Sequence, residues 1–305
     1  MSRHKTKKGR RSKRVVSRKH TGEIKIVGNG EHWIRKDMLT KPNKNITMCG
    51  DSPDVECDVF LQIEPEIHMP RAKYLMDNYK KYKYIFTYNA DVLKKCPNAK
   101  LCIYGTSWIQ PSDYEKLPEK KWLITSVTGL NSQHVGHKLR RAVYDQQDKL
   151  PKELPIQFYR SCKGADQLKD FGHNPILKTA EHDPDCNDTH ANKGAKFECL
   201  KESQFHIAIE NSRQENYFTE KLCDALITKN IPIYYGCPNI SKFFDTSGWI
   251  IMENEDVDAL YKRLSALDKD YYQKHLSTVN KNFKKVMKYK DYEASLNECL
   301  DKCRF

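Results

Sequence analysis

An α/β fold with buried parallel strands is predicted, chiefly by residues 205–236, FHIAIENSRQENYFTEKLCDALITKNIPIYYG. This stretch opens with an apolar, β-branched run of strand length at 205–209. A polar, helix-averse loop fills 210–216. Thr219 is then a natural N-cap, and Leu222, Ala225 and Leu226 recur at the spacing of a helix laid on a sheet. A second buried strand, 231–235, is stopped by Gly236 and Pro238. The second observation is length: 305 residues suffice for two domains of ordinary size.

The remaining elements follow in chain order. Residues 24–27 are the first strand, ending at Gly28-Asn29-Gly30, and 41–54 are turn-rich, with Pro42, Gly50 and Pro53. Residues 59–63 are a second apolar strand; 71–83 carry Tyr and Leu at helical spacing, and 84–87 are another strand. Residues 111–121 are charged and contain Pro118, which sets a boundary there. The chain is therefore divided into a tail at 1–20, a first domain at 21–118 and a second at 119–305. In the second domain, 122–127 and 156–159 are strands, and 137–150 form a helix containing Arg140. Residues 164–197 are a polar, irregular, cleft-side insertion. Residues 250–252 are a strand, while 257–267 and 271–303 are helices, the last packing back on the first domain. There is no internal repeat.

In a β-loop-α-β unit, ligands bind where the loop leaves the carboxyl end of the strand and meets a helix N-terminus. Free N–H groups there favour an anion such as phosphate, and Lys221 adds a point charge. No G-x-G-x-x-G and no P-loop occurs, which argues against a nicotinamide cofactor or ATP in its usual cradle.

The string Glu210-Asn211-Ser212, with Tyr217, Thr219-Glu220-Lys221, Ala225, Pro232 and Gly236, resembles the donor-binding signature of the α1,3-fucosyltransferases. Looser similarity lies upstream, at 24–27, at 59–65 with Glu64-Pro65, at 87–91, and at 140–145. The resemblance implies two Rossmann-like domains facing a cleft (the GT-B arrangement), the acceptor side N-terminal and the nucleotide-sugar side C-terminal. It also implies transfer of L-fucose from GDP-fucose to a sugar hydroxyl of a glycan acceptor, in α1,3 or α1,3/4 linkage, with inversion. Glu64 is the matching general base. Arg140 and Lys221 would stabilise the GDP leaving group, Glu220 would accept ribose hydroxyls, and Asn211, Ser212 and Tyr217 would line the same pocket.

Inverting transfer needs a base for the acceptor proton and cations or dipoles for the departing diphosphate. Glu64 ends an apolar strand before a proline, which would hold its carboxylate at the cleft edge. Glu66 is the neighbouring candidate, and both residues could instead be surface carboxylates closing a strand. Arg141 competes with Arg140 on the same helix, and Tyr217 could be plain core packing. An N-terminal dipole partner is the competing role for Glu220.

Residues 182–190, HDPDCNDTH, hold two His, a Cys and an Asp-x-Asp pair, but their spacing fits no zinc pattern. No cofactor or metal is expected, the donor sugar being a substrate. Rival readings are the same fold with another nucleotide sugar, or a non-catalytic nucleic-acid-binding protein.

Net charge is +13, yet residues 1–20 hold ten Lys or Arg and no acid, which leaves +3 for the rest. Such a run cannot pack and is expected to be disordered, free to meet anionic surfaces or nucleic acid. No apolar stretch approaches a membrane span and no signal-peptide core is present. The eleven cysteines are odd in number and lack C-x-x-C spacing. An unanchored, soluble, cytoplasmic protein with free thiols is the expectation.

Overall fold

A computed structural model describes residues 21–161, 167–177 and 192–305. The basic tail at 1–20 and the segment 182–190 lie outside the described residues.

Five parallel strands form the first sheet, side by side in chain order: β1 (Ile24–Gly28), β2 (Ile46–Gly50), β3 (Val59–Leu61), β4 (Tyr84–Thr87) and β5 (Ala99–Leu101). Successive side chains point to opposite faces. Phe60 and Ile85 therefore meet Leu75 of α1 (Ala72–Asn78) and Val92 of α2 (Ala90–Lys95). Their neighbours Leu61 and Phe86, with Ile26 and Met48, meet Tyr292, Leu296 and Leu300 of the last helix.

Residues 41–54 are not simply turn-rich. Pro42 and Pro53 flank β2, which ends at Gly50 and whose Ile46, Met48 and Cys49 are buried. The expectation of free thiols throughout is also corrected, because Cys49 and Cys57 are disulfide-bonded across the short β2–β3 connection, Cα atoms 5.9 Å apart. Among the described residues, seven other cysteines are free.

After α3 (Pro111–Tyr114) the second sheet begins. Its strands are β6 (Lys121–Thr128), β7 (Ile156–Ser161), β8 (Ile176–Leu177), β9 (Ser203–Ile209), β10 (Ile231–Tyr235) and β11 (Ile250–Ile251), all parallel, in the spatial order β11-β10-β9-β6-β7-β8. The chain runs outward from β6 to β8, returns through α5 (Asn192–Leu200) to place β9 beside β6, and then runs the other way. The order thus reverses between β6 and β9. On one face, α4 (Val135–Asp145) and α7 (Val257–Ser265) cover Phe205, Ile207 and Ile233. On the other, α6 (Glu220–Ile227) and α9 (Leu276–Val286) cover Ala208 and Tyr234.

Residues 271–303 are broken into α8 (Tyr271–Lys274), α9 and α10 (Tyr292–Leu300). The break at 287–291 lets Val286 end in the core of the second sheet while Leu296 packs on the first. Arg35 fastens this return, ion-paired at 3.0 Å to Asp291 and 2.9 Å to Glu293.

Candidate active site

The reversal between β6 and β9 splays their connections apart and leaves a crevice at the carboxyl ends of the strands. A cavity of about 320 Å³ occupies it. Arg140 of α4 and Glu220 and Lys221 of α6 line it, with Asn211 after β9. The helix carrying Arg140 can approach because residue 136 is glycine, whose added Cβ would stand 1.7 Å from the Glu210 carbonyl oxygen.

Glu210 organises the loop above the cavity. Its buried carboxylate accepts from the Thr219 backbone N–H (2.9 Å) and hydroxyl (2.7 Å), and the Thr219 hydroxyl caps the Lys221 N–H. Glu and Thr nine residues apart thus staple the loop to the N-terminus of α6, the end that attracts anions. Arg140, not Arg141, points inward. It donates to the Ile209 carbonyl at 2.6 Å and to Asn211 Oδ1 at 2.9 Å, whereas Arg141 pairs with Asp145 along the helix.

Lys221 Nζ lies 2.8 Å from Glu220 Oε1. Burial works against the Glu220 charge, but Lys221 and Lys196 outweigh it and hold the carboxyl down at about 2. Ser212 is buried and accepts from the Gln214 amide, and Tyr217 is buried against Tyr88 with ring centroids 4.9 Å apart.

Glu64 leaves the carboxyl end of the first sheet and is partly exposed. Two ties fix its backbone: its N–H donates to Asp51 (3.0 Å) and its carbonyl accepts from the Tyr88 hydroxyl (2.9 Å). Tyr88 also packs on Tyr217, and its carbonyl accepts from the Asn216 amide, so one buried ring links the Glu64 turn to the donor loop. Burial, with Glu210, Glu64 and Glu220 nearby, pushes the Tyr217 phenol well up. Glu66 has a different task, since its Oε1 accepts from the Arg71 and Ala72 N–H groups and closes the start of α1.

Sequence reasoning missed Lys196, His137, His206 and Trp108, all in the cavity wall. Lys196 Nζ sits 2.6 Å from the buried Asp224 and 4.8 Å above the Trp108 ring. Lys196 lies in α5, so the expectation of an irregular insertion over 164–197 is corrected: β8 and the start of α5 fall inside it, in a stretch whose polar sequence carries no clear strand or helix pattern. His206, inside an apolar strand, is held neutral: burial, then Lys196 and Lys120, lower it to about 3. Its Nδ1 is 2.9 Å from the Thr125 hydroxyl. Between about 6.5, where the unfolded residue titrates, and about 3, the unfolded chain holds the extra proton, so His206 removes stability as pH falls through that window. Denaturant titrations at pH 7 and 4.5 are expected to show a smaller acid loss for His206→Asn than for the parent.

Two parallel α/β sheets, with a cavity at the switch point of the second, form the architecture of the GT-B fold. A crystal structure of an α1,3-fucosyltransferase with GDP shares this fold at a TM-score of 0.51 and 13% identity, over 92% of this chain and 90% of that one. The model of glycosyltransferase family 10 (fucosyltransferase), C-terminal part, matches residues 118–304, and the chain belongs to that family. The chain is 30% identical to alpha-(1,3)-fucosyltransferase FucT of Helicobacter pylori, over 31% of this chain and 23% of that one. It is 29% identical to GDP-fucose protein O-fucosyltransferase 3 of Danio rerio, over 46% and 31% respectively. The matches thus span less than a third of each relative. No described helix is long and apolar enough to cross a membrane.

Proposed function

We propose that the protein transfers L-fucose from GDP-fucose to a sugar hydroxyl, in α1,3 or α1,3/4 linkage, with inversion and without a metal. The observation that carries this reading is the convergence of Arg140, Lys196 and Lys221 on the switch-point cavity, with Glu64 tied through Tyr88 to the loop above it. Glu64 accepts the proton of the acceptor hydroxyl as that oxygen bonds to the anomeric carbon. The bond from that carbon to the diphosphate breaks on the opposite face, and the charge passes to GDP. Arg140 and Lys221 meet that charge from fixed positions, aided by the α6 N-terminus. Glu220 receives ribose hydroxyls, while Asn211, Ser212 and Tyr217 shape the pocket.

Thermal shift with GDP, UDP, CMP and GDP-fucose, with and without EDTA, tests the donor. A ligand at a hundredfold excess over its Kd adds about 2.7 kcal/mol of stability. Stabilisation by GDP compounds alone, unaffected by EDTA and lost in Lys221→Ala, is the expected result. Stabilisation by UDP would instead indicate another nucleotide sugar, and by none, loss of the activity.

We place the protein in the cytoplasm on its free thiols, with the Cys49–Cys57 bond as the observation against that placement. Alkylation under denaturing conditions before reduction decides it: both cysteines are labelled in a protein from a reducing compartment and neither in one from an oxidising compartment.

A further inference from the structure

A second and larger hollow, about 670 Å³, opens between the loop after β1, the segment after β5 and the start of α10. We propose that this hollow is the acceptor subsite and that it takes a neutral saccharide stacked on Trp33. The inference rests on the donor reading above and adds the substrate class and the residues that choose it.

Trp33 and Met38 line the hollow and are two of the few large apolar side chains left exposed among the described residues. Trp33 is nevertheless fixed, its ring packing on Tyr104 at 5.7 Å and on Tyr292 at 5.8 Å between centroids. A rigid aromatic face that is already ordered binds with little entropic loss. A sugar ring has a matching shape, a face of C–H groups with hydroxyls around its rim.

The polar groups of the hollow fit such a rim and disfavour a charged ligand. Arg35 is paired with Asp291 and Glu293, and Lys290 with Asp291, so the charges are largely cancelled within the wall. These groups and His32 offer donors and acceptors without a net field.

The hollow also lies where an acceptor must lie. It is built on segments leaving the carboxyl ends of β1 and β5, the same side of the first sheet from which Glu64 emerges. Trp108 lines both this hollow and the donor cavity, with the Lys196 ammonium over its ring. Tyr104 stands on the segment after β5, lines the hollow, and packs its ring against both Trp33 and Tyr292.

The test uses the full chain with radiolabelled GDP-fucose on a printed array of neutral glycans, sialylated and sulfated glycans, and unglycosylated Ser/Thr peptides. Parent, Trp33→Ala and Trp33→Tyr are compared, each with its GDP thermal shift. Label is expected on neutral glycans, about tenfold weaker in Trp33→Ala through a raised acceptor KM and restored in Trp33→Tyr, with the GDP shift unchanged. Equal labelling by Trp33→Ala overturns the proposal. So does label confined to peptides or anionic glycans, or no label on any glycan while GDP still stabilises the protein. Loss of the GDP shift in the parent sinks the donor reading first, and this inference with it.

Discussion

Glu64→Gln is expected to lower the transfer rate by about 10²–10⁴-fold while leaving the GDP-induced thermal shift in place, because an amide keeps the shape but cannot take the acceptor proton. The comparison that makes this specific is Glu66→Gln. Glu66 accepts from the N–H groups that open α1, and burial pushes its carboxyl up. An amide keeps an oxygen acceptor for those N–H groups, so Glu66→Gln is expected to cost less than the roughly 1 kcal/mol of a lost cap, with turnover per folded molecule little changed. Single-turnover transfer and denaturant midpoints, measured on both variants, separate the two carboxylates. If Glu66→Gln abolishes transfer and Glu64→Gln does not, the base is misassigned.

The second sheet is legible in the sequence because its signals are local. Ile231 to Tyr235 is apolar throughout, as a central parallel strand covered on both faces must be, and the Thr219 cap lies where a helix has to begin. The first sheet is less legible. β2 has Met48 and Cys49 between turn residues, and its burial comes from β1 and β3 on either side, partners that no window of sequence reveals. The C-terminal helices have continuous periodicity, so the break at 287–291 is set by the need to pass from one sheet to the other.

The same division holds at the site. Arg140, Glu220 and Lys221 are marked by the family resemblance, Glu220 and Lys221 also by a recognisable helix start, and all three line one cavity. Trp33, Trp108 and Lys196 are not legible in the sequence because their meaning is purely tertiary. Trp33 gains a role only when the return of α10 gives it Tyr292 as a platform, and Lys196 only when α6 brings Asp224 beneath it.

That last pair carries the largest expected stability change. The Asp224 carboxylate is fully buried in α6 and receives Lys196 Nζ at 2.6 Å, the Ser107 hydroxyl at 2.7 Å and the Trp108 N–H at 2.9 Å. Burial pushes the Asp224 carboxyl up. Burial also opposes the Lys196 charge, but Asp224 and Glu220 more than offset it and keep the ammonium protonated. Asp224→Ala removes one charge of a buried pair and strands the other, a change that typically costs about 3–5 kcal/mol. Urea or guanidinium unfolding is expected to show a loss of that size. Asp224→Asn, which keeps an acceptor for Ser107 and Trp108, should lose less. The variant also discriminates function from mere stability, because Asp224 is what holds the Trp108 segment against the donor domain. Under conditions where Asp224→Asn remains folded, its KM for acceptor should rise, since Trp108 forms the wall common to the two cavities. An unchanged acceptor KM would show that the Trp108 segment holds its position without this anchor, and that the buried pair serves the fold alone.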